Sequence, residues 1–232
     1  MRTAYQTRKA SVRRPTLSPS LVSSQGRLSL PMPKSAFEPC IPTKSAKVPD
    51  RPEWIHEIKH DGYRLIVQRD GERVRLFTRN GHDWTDRFPR IIGAALRNRN
   101  SSFVLDGEAV LLGVEGISDL NGLHSRKHDD EVELYAFDAL VCDGEDLRKL
   151  PLTMRKTNLA RLLARRPDGI FVSDFEQGEI GPDLFRHACL MGLEGLVSKH
   201  RDSPYRGGRF DRWVKVKNRS HPAFSRVMAQ FG

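Results

Sequence analysis

From Trp54 onward the chain alternates short apolar runs with turn dipeptides, and the spacing inside each run sorts it into strand or helix. Trp54–Lys59 and Tyr63–Gln68 flank Asp61-Gly62, and Val74–Thr78 follows a second turn at Asp70-Gly71. Phe103–Leu105 and Ala109–Leu112 read as two strands bracketing Asp106-Gly107-Glu108, and Val132–Val141 as another before Asp143-Gly144. Helical spacing is clearest in Phe88, Ile91, Ile92, Ala95 and Leu96; it returns at Leu159, Leu162, Leu163 and at Leu184, Phe185, Ala188, Cys189. Strands in hairpins with interspersed helices predict an α+β domain of mainly antiparallel β-sheets with flanking helices. No internal repeat is visible.

Composition adds a direction. The 232 residues include 39 Lys+Arg against 29 Asp+Glu, a formal net charge of +10 and a pI of about 9.8, which favours polyanionic partners such as nucleic acid or nucleotides. The N-terminal stretch is free of acids up to Glu38, rich in Ser and interrupted by Pro15, Pro19, Pro31 and Pro33. Residues 1–35 are therefore expected to be a disordered basic arm, touching nucleic acid non-specifically or serving as a leader. Residues 36–52 read as an extended approach to the domain. Cys40, Cys142 and Cys189 are dispersed, which argues against a disulfide framework or zinc site. His124 and His128 could share a helix face, but no third ligand lies nearby. No apolar run approaches the ~18–20 residues that span a bilayer, so the expected location is the cytoplasm.

The candidate chemistry centres on Lys59-His60-Asp61-Gly62-Tyr63-Arg64. A lysine at a strand end, followed by a tight Asp-Gly turn and an arginine, suits a nucleophile that attacks phosphorus. Arg64 supplies charge to depress the amine's pKa or to grip a phosphate. The same six residues equally describe a β-hairpin turn with a solvated lysine. Four later segments bear on that choice. Phe77-Thr78-Arg79-Asn80-Gly81 carries an arginine into an Asn-Gly turn, Asp106-Gly107-Glu108 is an acidic pair, and Glu194 precedes the apolar Gly195-Leu196-Val197-Ser198-Lys199. In Trp213-Val214-Lys215-Val216-Lys217 the period-2 alternation sends Trp213 and both lysines to one strand face. Each taken alone also reads as a turn, a helix end or a wet strand face.

In this order the five segments resemble the nucleotidyltransferase motifs of the ATP-dependent DNA ligases, whose core is shared with mRNA capping enzymes and RNA ligases. The run from Glu194 to Lys217, with Asp202-Ser203-Pro204-Tyr205 inside it, is most similar to bacterial ligases of end-joining type. The resemblance covers about residues 36–218 and implies a nucleotidyltransferase domain of the DNA ligase/mRNA capping enzyme type. It implies that Lys59 takes AMP from ATP, with Arg64, Lys215 and Lys217 assisting catalysis, and that AMP then passes to the 5′-phosphate of a nick for sealing in repair or recombination. Glu108 and Glu194 are the acids for Mg²⁺ (or Mn²⁺) or the ribose hydroxyls. Glu57, on the strand face of Lys59, corresponds to the acid that reads the adenine amino group. Phe137 corresponds to the aromatic that stacks on the base, and Arg79 to an arginine that meets phosphates. The nucleotide-binding set is thus Glu57, Arg64, Arg79, Glu108, Phe137, Lys215 and Lys217. The implied partner is nicked or broken duplex DNA, with no membrane, and the implied location is bacterial cytoplasm in association with the nucleoid.

The sequence departs from the family at its end. Family ligases continue into an oligonucleotide-binding β-barrel with a sixth, basic motif, whereas fifteen residues follow Lys217 here. Residues 219–232 are expected to be a short tail without that OB-fold, its Phe224–Phe231 forming a helical turn or two, so that a partner protein would supply the DNA clamp. The alternatives are an RNA ligase or capping-type nucleotidyltransferase, or a non-catalytic nucleotide- or DNA-binding remnant that needs a partner.

Overall fold

The computed structural model describes residues 37–165 and 168–224. The expected basic arm and the segment from Ser225 onward lie outside the described residues. In chain order the elements are β1 (Cys40–Lys44), β2 (Trp54–Ile58), β3 (Tyr63–Asp70), β4 (Arg73–Thr78), α1 (Pro89–Arg97), β5 (Ser102–Val110), α2 (Leu120–Ser125), β6 (Glu133–Cys142), β7 (Glu145–Asp146), α3 (Leu152–Leu162), β8 (Ile170–Val172), β9 (Phe175–Gln177), α4 (Gly181–Leu190), β10 (Gly195–His200) and β11 (Gly208–Lys217).

The strands form two sheets. One runs β1-β11-β10-β2-β9 and the other β4-β3-β5-β6-β7, with β8 added in parallel to β6. All pairs are antiparallel except β1–β11 and β6–β8, so the α+β expectation holds.

Core placement follows from strand alternation. On β3, Leu65 and Val67 face a core shared with Phe88 and Ile91 of the α1 region and Leu159 of α3, while Ile66 faces the other sheet beside Val104, Phe210 and Trp213. The second sheet is buried on both faces, which is why β3 reads as an unbroken Leu-Ile-Val run. Helix α1 opens with Pro89 at its first turn, where a missing N–H costs nothing. Each fully buried Phe88 or Ile91 side chain contributes about 1.5–3 kcal/mol.

Two sequence readings change. Asp106-Gly107-Glu108 does not separate two strands; it lies inside the continuous β5. Gly107 permits this, because a Cβ there would stand 2.9 Å from the Tyr135 carbonyl on β6. Nor is the Asp61-Gly62 link a hairpin. β2 and β3 belong to different sheets, and Lys59–Gly62 is the chain's passage between them. A Cβ on Gly62 would sit 2.2 Å from the Ala109 carbonyl, so only glycine allows the link to press against β5. The hairpin reading required Lys59 in solvent; the crossover places it where the sheets meet.

Candidate nucleotide-binding site

A cleft of about 540 Å³ lies between the sheets, within the size range of small-molecule sites. Backbone pairing brings three distant segments to its floor. The Lys59 N–H donates to the Gly195 carbonyl at 2.9 Å, Gly195 pairs with Lys217 across β10–β11, and the Asn218 N–H donates to the Glu194 carbonyl at 2.8 Å. Gly195 takes φ 139°, and a Cβ there would lie 2.1 Å from the Val216 carbonyl. Glu194 and Lys217 are thereby held beside Lys59. The Lys59 Nζ donates to Glu194 Oε2 at 2.7 Å, and Lys217 Nζ lies 2.7 Å from Oε1 of the same carboxylate. Burial alone would raise Glu194, but the Lys59 and Lys217 ammoniums hold it below the usual carboxylate range.

Around this triad stand charges that have no ion-pair partner among the described residues. Lys215, a strand repeat from Lys217, faces the cleft with no acceptor for its ammonium among the described residues. Burial, reinforced by Lys59, Arg79, Lys217 and Lys44, lowers its pKa to about 8. Arg79 at the end of β4 also lacks an ion-pair partner among the described residues, as does the Glu108 carboxylate on β5. Burial pushes Glu108 up to about 7 despite the opposing pull of Lys59 and Arg64. The site is therefore a strongly positive concavity with one uncommitted acid, and a polyphosphate would compensate it. No group of three His, Cys, Asp or Glu side chains poised for a metal occurs among the described residues. His124 bonds Tyr63 and His128 bonds Glu131, and α2 ends between them at Arg126 with φ 63°.

The other expected site residues lie in the same cleft with assignments of their own. Arg64 is not loose: its Nε and Nη2 grip both oxygens of Asp106 at 2.9 and 2.6 Å, and Nη1 donates to the Cys40 carbonyl at 2.6 Å. Tyr205 adds a 2.7 Å hydrogen bond to Asp106. Arg64 presents its face to Phe137 at 5.2 Å from the ring centroid, while its nitrogens are committed to protein oxygens. Phe137 reaches the cleft through a bulge. Gly107 pairs with Ala136 and Asp106 with Asp138, so Phe137 is an extra residue on β6, re-aimed out of the ladder.

Glu57 is buried and doubly paired, to Lys199 Nζ at 2.6 Å and to Lys156 Nζ. The sequence reading missed both lysines. Lys199 lies between Phe137 and Trp213, its ammonium 4.0 and 4.2 Å from their ring centroids, and burial lowers its pKa to about 8. A signal for Lys156 was present: Leu152, Arg155, Lys156 and Leu159 fall at i, i+3, i+4 and i+7, so two cations occupy the buried stripe of α3 and demand buried acids.

Residues 39–217 match a family model described as an ATP dependent DNA ligase domain. The multifunctional non-homologous end joining protein LigD of Pseudomonas aeruginosa is 40% identical over 172 residues, a match covering 73% of this chain and 20% of that protein. A probable DNA ligase of Streptomyces avermitilis is 37% identical over 175 residues, covering 69% of this chain and 34% of that protein. Among solved structures, a mycobacterial DNA ligase D complexed with ATP and MES aligns with a TM-score of 0.68 at 34% identity, covering 78% of this chain and 60% of that one. The ligase domain of M. tuberculosis LigD gives 0.67 at 33% identity, covering 78% and 59%. The chain thus spans between a fifth and about a third of the length of these curated relatives.

Proposed function

Because this chain belongs to the ATP-dependent DNA ligase family, we propose that its two-sheet cleft binds ATP and transfers AMP to Lys59, as the first step in sealing a nick in duplex DNA. The observation that carries this reading is the Lys59–Glu194–Lys217 triad at the cleft floor, beside Lys215 and Arg79, which have no ion-pair partner among the described residues. In solution an amine of this kind is protonated and cannot attack. Glu194 is in contact with Nζ and is the acceptor through which the proton leaves.

The Nζ lone pair then forms the N–P bond at the α-phosphorus as the P–O bond to pyrophosphate breaks. Lys215, Lys217 and Arg79 hold the phosphate oxygens, where charge spreads in the transition state. Phe137 offers its ring to the base, and Glu57 meets the adenine amino group. AMP next passes from Lys59 to the 5′-phosphate at a nick; attack by the adjoining 3′-hydroxyl closes the backbone and releases AMP. Basic surface charge holds the duplex through its phosphates, with an affinity that falls as salt rises.

The residues present fit a divalent cation. Glu108 lines the cleft with a carboxylate that has no ion-pair partner among the described residues and would hold the ion, since Mg²⁺ needs only one or two carboxylates beside waters and substrate phosphates; both oxygens of the other expected acid, Glu194, already meet Lys59 and Lys217. When bound, the ion neutralises phosphate charge.

The test is intact-mass measurement after incubation with ATP and Mg²⁺. One added AMP is expected on the wild type and none on Lys59→Ala; an adduct that persists in the variant removes Lys59 as the nucleophile. Sealing of a nicked duplex by the wild type, and its loss in the variant, tests the later steps.

A further inference from the structure

Glu57 has one more cation than charge balance requires. The residue is 3% exposed, and its carboxylate meets two ammoniums that are themselves buried, Lys199 on β10 and Lys156 on α3. Lys156 belongs to none of the five motif segments, and its ammonium lies 4.8 Å from the ring centroid of Phe175. Arg155, its neighbour on the stripe, is answered by Asp138 in a buried two-point pair. Lys156 is answered only by Glu57 among the described residues, and Glu57 is already answered by Lys199. Burying a lysine is costly, and a structural ion pair here needs one.

The second cation has a consequence for recognition. Burial alone would push Glu57 toward its neutral form, but Lys156 and Lys199 together hold it below the usual carboxylate range. An ionised carboxylate only accepts hydrogen bonds, whereas a carboxylic acid also donates. Oε1 is buried against the Lys156 ammonium, while Oε2 accepts from Lys199 at 2.6 Å and keeps a second lone pair for a ligand in the cleft that Glu57 lines. Adenine carries an amino donor at position 6, and guanine an acceptor oxygen. A carboxylate kept ionised accepts from the first and repels the second.

Resting on the reading that this cleft takes ATP, we propose that Lys156 is a positioning residue. With Lys199 it clamps Glu57 in its ionised, acceptor-only form and so sets the preference for a purine bearing an exocyclic amine at position 6.

The experiment measures the rate of nucleotide-adduct formation on the full chain against concentrations of ATP, of purine riboside triphosphate, which lacks the 6-amino group, and of GTP. Wild type, Lys156→Met, Lys156→Gln and Lys156→Arg are compared, with thermal melts to confirm folding. The wild type is expected to favour ATP over the analogue by about tenfold or more. Lys156→Met should raise KM for ATP about tenfold, leave KM for the analogue unchanged, and bring the two nucleotides to within about threefold. Lys156→Gln, which keeps a neutral donor, should fall between, and Lys156→Arg should restore the preference. Should Lys156→Met not fold, the Gln and Arg variants carry the comparison. Wild-type preference in the folded Met or Gln variant would overturn the proposal, as would an equal loss of rate with both nucleotides. A wild type that forms adducts without preferring ATP would overturn it while leaving the adenylation reading intact. No adduct from any nucleotide would sink that reading, and the clamp with it.

Discussion

Replacing Lys215 with Met should make the protein more stable and less active. Lys215 sits in a half-buried position beside Lys59, Lys217 and Arg79 with no acceptor among the described residues, and burial together with those charges brings its pKa from 10.5 to about 8. That displacement corresponds to about 3.4 kcal/mol, which solvent screening at a half-buried site reduces to about 1–2 kcal/mol. The folded state binds fewer protons than the unfolded chain between pH 8 and 10.5, so this group's contribution makes stability rise with pH across that window. The penalty is fully present below about pH 8, and at pH 10 roughly a quarter of it remains. Urea unfolding of wild type and Lys215→Met at pH 7 and pH 10 measures it. The variant should gain about 1–2 kcal/mol at pH 7, with most of the gain gone at pH 10, while the rate of AMP-adduct formation falls about 100-fold. A variant less stable than wild type at pH 7, or a gain equal at both pH values, would refute the account of Lys215 as an uncompensated cation awaiting phosphate.

Three further outcomes follow from the same geometry. Gly62→Ala places a methyl 2.2 Å from the Ala109 carbonyl, so it should cost about 2–3 kcal/mol in denaturant melts and displace Lys59 enough to slow adduct formation. Asp70-Gly71 offers the contrast, since open space surrounds Gly71 and only its φ of +60° opposes a side chain; Gly71→Asn should shift the melt by less than about 1 kcal/mol. Glu108→Gln should raise the Mg²⁺ concentration for half-maximal adduct formation about tenfold, measured by metal titration after chelator treatment, and an unchanged titration would exclude Glu108 from holding the ion.

Local signals in the sequence reached far into this structure, but only to the limit of what neighbours along the chain decide. The i, i+3, i+4, i+7 spacing placed α1, α3 and α4, because a helix's buried stripe is written within its own segment. Alternation placed Trp213, Lys215 and Lys217 on one face of β11, and all three line the cleft. Strand partnership was not legible. The Asp61-Gly62 link looked like a hairpin because its dipeptide permits one; that it crosses between sheets depends on β10, well over a hundred residues away in the chain, pairing with β2. For the same reason Asp106-Gly107-Glu108 looked like a turn until β3 and β6 were seen to flank it as one strand.

In the sequence Arg64 reads as charge for a phosphate. Its fork is closed on Asp106, an acid whose side chain shares a strand face with Glu108 but whose partner no spacing rule names. Lys156 does not stand out in the sequence, because a lysine on a helix is ordinarily solvated. Its place on the buried stripe beside Arg155 was the available clue.

The most direct test of the central claim is to locate the nucleotide. After incubation with ATP and Mg²⁺, the protein is digested and the adduct-bearing peptide sequenced by tandem mass spectrometry. AMP is expected on the Lys59 side chain in the peptide that contains His60-Asp61-Gly62; AMP on Lys199, Lys215 or Lys217 instead, with Lys59 unmodified, would contradict that assignment.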